Sequence, residues 1–519
     1  MKRLLTLIAL CAAANQLSAA DLLAVYQRAL QNDPQLREAE ATRLAALEAK
    51  PQALSALLPQ LSGSGVVTRE RDTGSSNTTE SVSAPGTPTI LESFPFDGRV
   101  DTTTHRYGID LKQNLFRWEN WVALQRADAQ VAQAEADYQA AQQDLIERVA
   151  QRYFDVLAAQ DDLEAQQVAL ISIQRQLDQA ESRFQIGLIA VTDVEEARAA
   201  HDSGAAAVIA AKRTLASTKE LLREITGDAF DTLARPIEPF ELANPDPVSE
   251  DRWVDMALQQ NLSLVSSRLA ADIARENVSS ARGGHYPSLD LVGSQYKQNS
   301  NGVDTFTDGA SAGGTTLDQT QRTISLQLTF PIYSGGMVSS QVRQAVYQHR
   351  AAKERVERVA RQTEHDARDS YLGVLSEISR VKALRRAVES NATSLRATES
   401  GYEAGTRTAV DVLQSRQLWV QAQTDYSRSR YDYMLNVLKL QQAAGTLSQQ
   451  SLEKINGLLT DTPPPVIDPG APIPAAPSPT PPNPASPNSA SPNPASPNPA
   501  STKRTAMGPA STGSTATFR

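Results

Sequence analysis

Two stretches of the chain place apolar or small residues at steps of three and four with no proline among them. Neither proline nor glycine occurs from Trp118 to Ile186, and Val131, Ala134, Tyr138, Ala141, Leu145, Val149 and Tyr153 trace one stripe that Leu170, Ile173, Leu177, Ala180 and Phe184 resume. That spacing is a coiled-coil seam, and it predicts a helix over 118–186 that at 1.5 Å per residue runs roughly 100 Å. From Ile332 to Thr462 there is again no proline, and Val374, Ile378, Val381, Val388, Leu395 and Tyr402 keep the same spacing. They predict a second long helix over 337–404. Shorter helices over 192–226 and 410–444 follow, stopped by Gly227 and Gly445, because glycine just past a helix is the usual C-terminal stop.

The period changes upstream of each long helix. Ile324, Leu326, Leu328 and Phe330 alternate with Ser325, Gln327 and Thr329, while Tyr107, Ile109 and Leu111 alternate with Gly108, Asp110 and Lys112. Period two with polar partners is a strand with one apolar face. Weaker partners begin near 57 and 285, where Pro59 matches Pro287. The expected strands are therefore about 57–72, 103–116, 285–298 and 321–334, with polar loops near 73–101 and 299–320.

The two halves share one design. "GLIAVTDV" at 187–194 and "GTRTAVDV" at 405–412 each set a glycine six residues before Asp-Val, 218 residues apart, and Gly227 and Gly445 share that offset. The chain divides into a first repeat, 21–227, and a second, 228–445, each built as helix, strand, loop, strand, long helix, turn, helix. A segment at 446–462 completes the folded part. The fold class is α+β and mainly α: two long antiparallel coiled-coil hairpins from an internal duplication, with four strands per chain.

Composition sets the compartment. Lys2 and Arg3, an apolar run from Leu4 to Ala14, and Ser18-Ala19-Ala20 have the layout of a secretory signal peptide over 1–20. The single cysteine, Cys11, lies inside that leader, which excludes disulfides, thiolate metal sites and cysteine nucleophiles from the mature chain. Removing Lys2 and Arg3 leaves 48 Lys+Arg against 59 Asp+Glu, a formal charge of about -11, which argues against nucleic-acid partners. From Pro463 to Arg519 the chain is rich in Pro, Ser, Asn and Ala, and we expect a disordered tail over 463–519. The five histidines are scattered without metal-ligand spacing, and neither a nucleophile elbow nor a phosphate-cradling glycine loop occurs, so we expect no enzyme activity, no cofactor and no metal.

Four strands cannot close a barrel, and an open sheet cannot sit in hydrocarbon because each unpaired backbone group costs several kcal/mol. Several copies must share one barrel. Three give twelve strands and room for a lumen, so we expect a homotrimer in contact with outer-membrane lipid. Phe116, Trp118, Trp121, Tyr286 and Tyr333, at the strand-to-helix junctions, suit interfacial anchors and equally suit ordinary packing.

With GLIAVTDV at 187–194, YEAGTRTAVDVL at 402–413 and FPIYSGGMVSSQV at 330–342, the chain resembles the TolC-like outer-membrane efflux duct family over about residues 21–455. The resemblance implies a trimeric twelve-stranded outer-membrane barrel continued by a periplasmic helical tunnel. It implies docking onto a periplasmic adaptor (membrane fusion) protein and an inner-membrane transporter, either proton-driven (RND) or ATP-driven (ABC), in multidrug efflux or type I secretion. It also assigns roles by position: Thr192, Asp193, Tyr402 and Arg407 as a gate lock, Asp411 and Gln414 as a constriction ring, and Gly187, Leu188, Gly405 and Thr406 as adaptor-binding turns. Gln414 departs from the family's best-known member, which has a second aspartate there, so a single carboxylate ring is expected. Asp193 and Asp411 also suit a simpler role, since carboxylates in a first helical turn complement the helix dipole. The alternative from another class is a trimeric coiled-coil tether or scaffold at the outer membrane that transports nothing.

Overall fold

The computed structural model describes residues 19–82, 90–237, 240–306 and 311–460; residues 1–18 of the leader and the whole tail over 463–519 lie outside them. The chain opens with α1 (Leu22–Asn32), α2 (Pro34–Leu47) and α3 (Ala49–Ser55), then strands β1 (Gln60–Val82) and β2 (Ile90–Phe116). The hairpin of α4 (Trp118–Gln185) and α5 (Val191–Thr226) follows. A short strand β3 (Arg235–Pro236) leads to α6 (Glu250–Gln260), α7 (Leu262–Gly283), β4 (Ser288–Phe306) and β5 (Ser311–Thr329). The second hairpin is α8 (Met337–Glu403) and α9 (Ala409–Ala443), closed by α10 (Gln449–Asn456) and β6 (Leu459–Thr460). Among the described residues no helix is long and apolar enough to cross a membrane.

The four long strands form one antiparallel sheet in the order β1-β2-β4-β5, so the two repeats join where β2 pairs with β4. These strands run well past the expected 57–72, 103–116 and 285–298. Residues 73–82, 90–101, 299–306 and 311–320, expected as loop, are paired hairpin arms, with Thr73 opposite Arg99 and Asn299 opposite Asp318. The reason is physical. The apolar alternation marks only the length of strand that faces apolar surroundings, whereas the main-chain ladder continues through Ser, Thr, Gly and Asn without reference to their side chains. Ala20, the last residue of the expected leader, is hydrogen-bonded to the segment after α5. Its N–H donates to Thr232 O at 3.0 Å, and its carbonyl accepts from Ala234 N at 3.1 Å and Tyr153 Oη at 3.1 Å.

The main core lies partway along the long helices, about 35 residues from their sheet ends at Tyr153 of α4 and Tyr371 of α8, where the N-terminal helix, the segment between the repeats and the C-terminal helix belt the two hairpins. Tyr153, Phe154, Tyr431, Met434 and Leu438 are buried there, with Phe154 and Tyr431 stacked at 5.6 Å. The belt consists of α1, the segment around Leu233 and Ala234, and α10, tied by the β3–β6 pair. Asp33 locks the N-terminal helices onto α4. One of its oxygens caps α2 by accepting from Leu36 N at 2.9 Å, and both accept from Arg148 at 3.3 and 2.9 Å. That pairing holds its carboxyl below the ordinary carboxylate range.

Gly445 ends α9 with φ +71°, and a Cβ there meets the backbone of Gln260 and Asn261, where α6 passes into α7. Gly405 has the same conformation with open space around it. Alanine at Gly405 should therefore cost only the left-handed backbone, about 1–2 kcal/mol, while Gly445→Ala adds a main-chain collision and should cost more. Thermal loss of helical circular dichroism should come several degrees earlier in Gly445→Ala than in Gly405→Ala; equal midpoints contradict this packing.

Candidate gate at the hairpin tips

Both helical hairpins end in the same turn. Gly187 (φ +73°) donates to Phe184 O and Leu188 N to Arg183 O, both at 2.9 Å; Gly405 (φ +72°) donates to Tyr402 O at 3.0 Å and Thr406 N to Gly401 O at 2.8 Å. A left-handed glycine with a six-to-one bond is the Schellman stop, which satisfies the last carbonyls of a helix and reverses the chain. The four turn residues expected to meet an adaptor, Gly187, Leu188, Gly405 and Thr406, are all exposed at these turns.

The next helices start differently. Thr408 caps α9 by accepting from Asp411 N at 3.2 Å, and Asp411 Oδ2 accepts from Thr408 N at 3.0 Å, a complete capping box. Those bonds, helped by the Arg407 charge, hold the Asp411 carboxyl below the ordinary carboxylate range. At the start of α5, Ala190 occupies the cap and offers no side chain, although Asp193 sits at the equivalent first-turn position. Asp411 thus performs the simpler first-turn role within the single chain. Gln414 lies exposed one turn further along.

Tyr402 is partly buried against the other hairpin, in a crevice with Ile173, Gln176, Ala180 and Ala197. The guanidinium of Arg183 lies 5.3 Å from its ring centroid, a cation–π contact that ties the end of α4 to the end of α8. Arg407 is exposed and folds back over Gly401. Thr192 is exposed and Asp193 half-exposed. Within one chain, among the described residues, no hydrogen bond or ion pair joins Thr192 or Asp193 to Tyr402 or Arg407.

Three groups above the tip escaped the sequence. Arg183 is one. Another is the buried Arg416, which pairs with Glu399 across the α8–α9 hairpin, next to a Ser415–Thr398 hydroxyl pair at 3.3 Å. The third is Asp161 on α4, which accepts from the fully buried Tyr431 hydroxyl of α9 at 2.7 Å and lies 3.8 Å from Arg235. Burial pushes both the Asp161 carboxyl and, more strongly, the Tyr431 phenol up. Folding the chain about the turn near 407–408 sets residue 399 opposite 416, so that pair had a signal; contacts between hairpins have no counterpart in a periodicity.

Comparison with known proteins places these features in context. Residues 25–228 and 253–446 each match the family model described as "Outer membrane efflux protein", so each repeat carries the family pattern separately. The chain is 37% identical over 461 residues to the outer membrane protein TolC of Vibrio cholerae, covering 88% of this chain and 98% of that protein. It is 27% identical to the alkaline protease secretion protein AprF of Pseudomonas aeruginosa, covering 84% and 86%. Its fold is similar to the crystal structure of the CmeC outer membrane channel of Campylobacter jejuni, with a TM-score of 0.65 at 19% identity over 84% of this chain and 89% of that one. Nothing in these names favours a tether without transport.

The Asp411 bonds set a pH dependence. A carboxyl lowered in the folded state contributes stability that is fully present above its unfolded value, about 3.9, and is lost as pH falls through the folded value. Amide protection of residues 409–413, corrected for intrinsic exchange, should exceed that of the uncapped 191–195 at pH 7 and lose that excess towards pH 3. Thr408→Ala should remove it at every pH, and an excess that persists in the alanine variant rules out the capping box as its source.

Proposed function

The chain belongs to the outer membrane efflux protein family and is an outer-membrane exit duct with a helical periplasmic tunnel, and on that premise we propose how its tips gate it. Three copies pair their sheet edges, β5 of one against β1 of the next, to close a twelve-stranded barrel, and their hairpins continue it as the tunnel. Substrate comes from an inner-membrane pump, RND or ABC, through a periplasmic adaptor that seats on the exposed turns at Gly187, Leu188, Gly405 and Thr406. The energy for export comes from that pump.

The observation that carries the gate is the concentration of exposed or half-exposed polar groups at the tips of the two hairpins. Tyr402, Arg407, Thr192 and Asp193 lie within a turn or so of the tips, and no bond joins the two pairs inside one chain, so their phenol, guanidinium, hydroxyl and carboxylate are available to a neighbouring copy. Charge-assisted hydrogen bonds exposed to water are of the strength a latch requires, about 0–1 kcal/mol each. The Arg183–Tyr402 contact is a second tie, inside each copy. Asp411 would serve twice, as capping residue and as the ring carboxylate, with Gln414 forming an amide ring beside it. Three like charges near one axis attract cations into the constriction.

In planar-bilayer recordings Asp193→Ala with Arg407→Ala should raise single-channel conductance severalfold; an unchanged closed level removes the lock. Tyr402→Phe keeps the ring under Arg183 and loses the hydroxyl, so it should open the channel partly, and Tyr402→Ala further. Asp411→Asn should move the reversal potential towards lower cation preference, and an unmoved potential removes the ring assignment.

A further inference from the structure

The apolar side chains of the sheet share one face. By register, Leu61 of β1 lies opposite Leu111 of β2, Leu111 opposite Gly293 of β4, and Gly293 opposite Ile324 of β5. Alternate residues along each strand stay on that face. It is the lipid side, because it presents Leu61, Ile109, Ile324 and Leu328, with Ile324 86% exposed in the single chain.

Going away from the helices, this face has three to five positions without a basic side chain on each strand, and then one with it. On β5, Leu328, Leu326 and Ile324 precede Arg322, with Phe330 just past the strand's end; on β4, Leu289 to Gln295 precede Lys297. On β2, Phe116 and then Gln113 to Tyr107 precede His105, and on β1, Leu61 to Val67 precede Arg69. The four step by two residues from strand to strand: Arg322 is opposite Gln295, Lys297 opposite Tyr107, and His105 opposite Val67. A plane normal to the axis of a barrel whose strands tilt by about 45° crosses neighbouring strands with a stagger of that order. From Phe330 to Arg322 such a strand climbs about 20 Å, and with the reach of a guanidinium this approaches the roughly 25 Å apolar band of an outer-membrane barrel.

The belt is electrically distinct. Arg69, Arg71, Arg99, Lys297 and Arg322 lie on this face against Asp97, Asp101 and Asp318. Asp101 is held by Arg71 at 2.6 Å and Arg99 at 2.8 Å, and Lys297 meets Asp318 at 3.3 Å. Among the described residues Arg69 and Arg322 have no ion-pair partner within 4.0 Å. On the lumen face the balance inverts, with Glu70, Asp72, Asp110, Asp290 and Asp304 against Arg106 and Lys112. In a chain of formal charge -9, basic groups are gathered on the lipid face just above its apolar band.

We propose that this belt binds the phosphate groups of phosphorylated lipid headgroups in the outer leaflet. Guanidinium and ammonium groups at headgroup depth complement phosphate in charge and hydrogen bonding, and the apolar band beneath receives the acyl chains of the same lipid. The site rests on the outer-membrane barrel, and conductance of the same preparations reports that barrel independently.

Native mass spectrometry of the trimer from phosphatidylcholine nanodiscs doped with a bisphosphorylated glucosamine-disaccharide lipid, or with its dephosphorylated form, tests it. Wild type should retain the phosphorylated lipid preferentially, and Arg322→Gln should cut that preference about fivefold. Arg69→Gln, Arg71→Gln, Lys297→Gln and Arg322→Gln together should bring the two lipids to parity, while Arg322→Lys and the lumen-side Arg106→Gln keep the preference. If the fourfold variant does not assemble, Arg322→Gln and Lys297→Gln singly decide. Equal retention of both lipids by a conducting wild type, or an unchanged preference in the variants, overturns the belt; a wild type that neither assembles nor conducts overturns the barrel itself.

Discussion

A backbone N–H or C=O that meets hydrocarbon must be paired, and this single demand shapes the molecule. The sheet's ladder satisfies β2 and β4 on both sides but leaves one edge of β1 and one edge of β5 open within the chain. Such edges in a bilayer cost several kcal/mol per unpaired group, far more than any surface ion pair returns. The proposed association of copies would supply partners to both edges. Once copies are arranged around an axis, the helices that continue the strands inherit the arrangement, and a tunnel follows from a barrel.

The helical part obeys a different balance. Seams 67 and 68 residues long are held by alanine-rich packing and by isolated polar pairs set into it. Arg416–Glu399 bridges α8 and α9, Tyr431–Asp161 joins α9 to α4, and Arg148–Asp33 fastens the N-terminal helices. A buried pair adds little net stability against an apolar replacement, yet breaking it by removing one partner is costly. Such pairs fix which residue lies against which, something an alanine stripe does poorly because one step of slippage changes it little.

The periodicities exposed the elements and their duplication. The 3.6-residue stripes fix α4 and α8 nearly to the residue, because no proline interrupts either before the tip glycines. The strands were read only over the apolar band; Thr73 to Val82 pair as strand with no hydrophobic alternation to announce it, whereas Phe94, Phe96 and Val100 do alternate with Asp97, Arg99 and Asp101. At the tips, the left-handed turns and the first-turn Asp411 could be read from sequence, since both are local. The Arg183–Tyr402 contact could not, because it joins residues 219 apart through the packing of two hairpins. The proposed links between Thr192 or Asp193 and Tyr402 or Arg407 require a neighbouring copy, and one chain's sequence contains no distance between copies.

The buried Tyr431–Asp161 bond lies 26 residues up α9 from the Gly405 turn, about 39 Å along a helix. A stiff rod gripped that far from its free end works as a lever. Tilting it by about 10° at the grip sweeps the tip through about 7 Å, more than the length of a hydrogen bond and near the diameter of a hydrated ion. Side chains at the fulcrum need shift by little more than a rotamer's slack, so the core there can stay dry and closely packed while the far end swings aside.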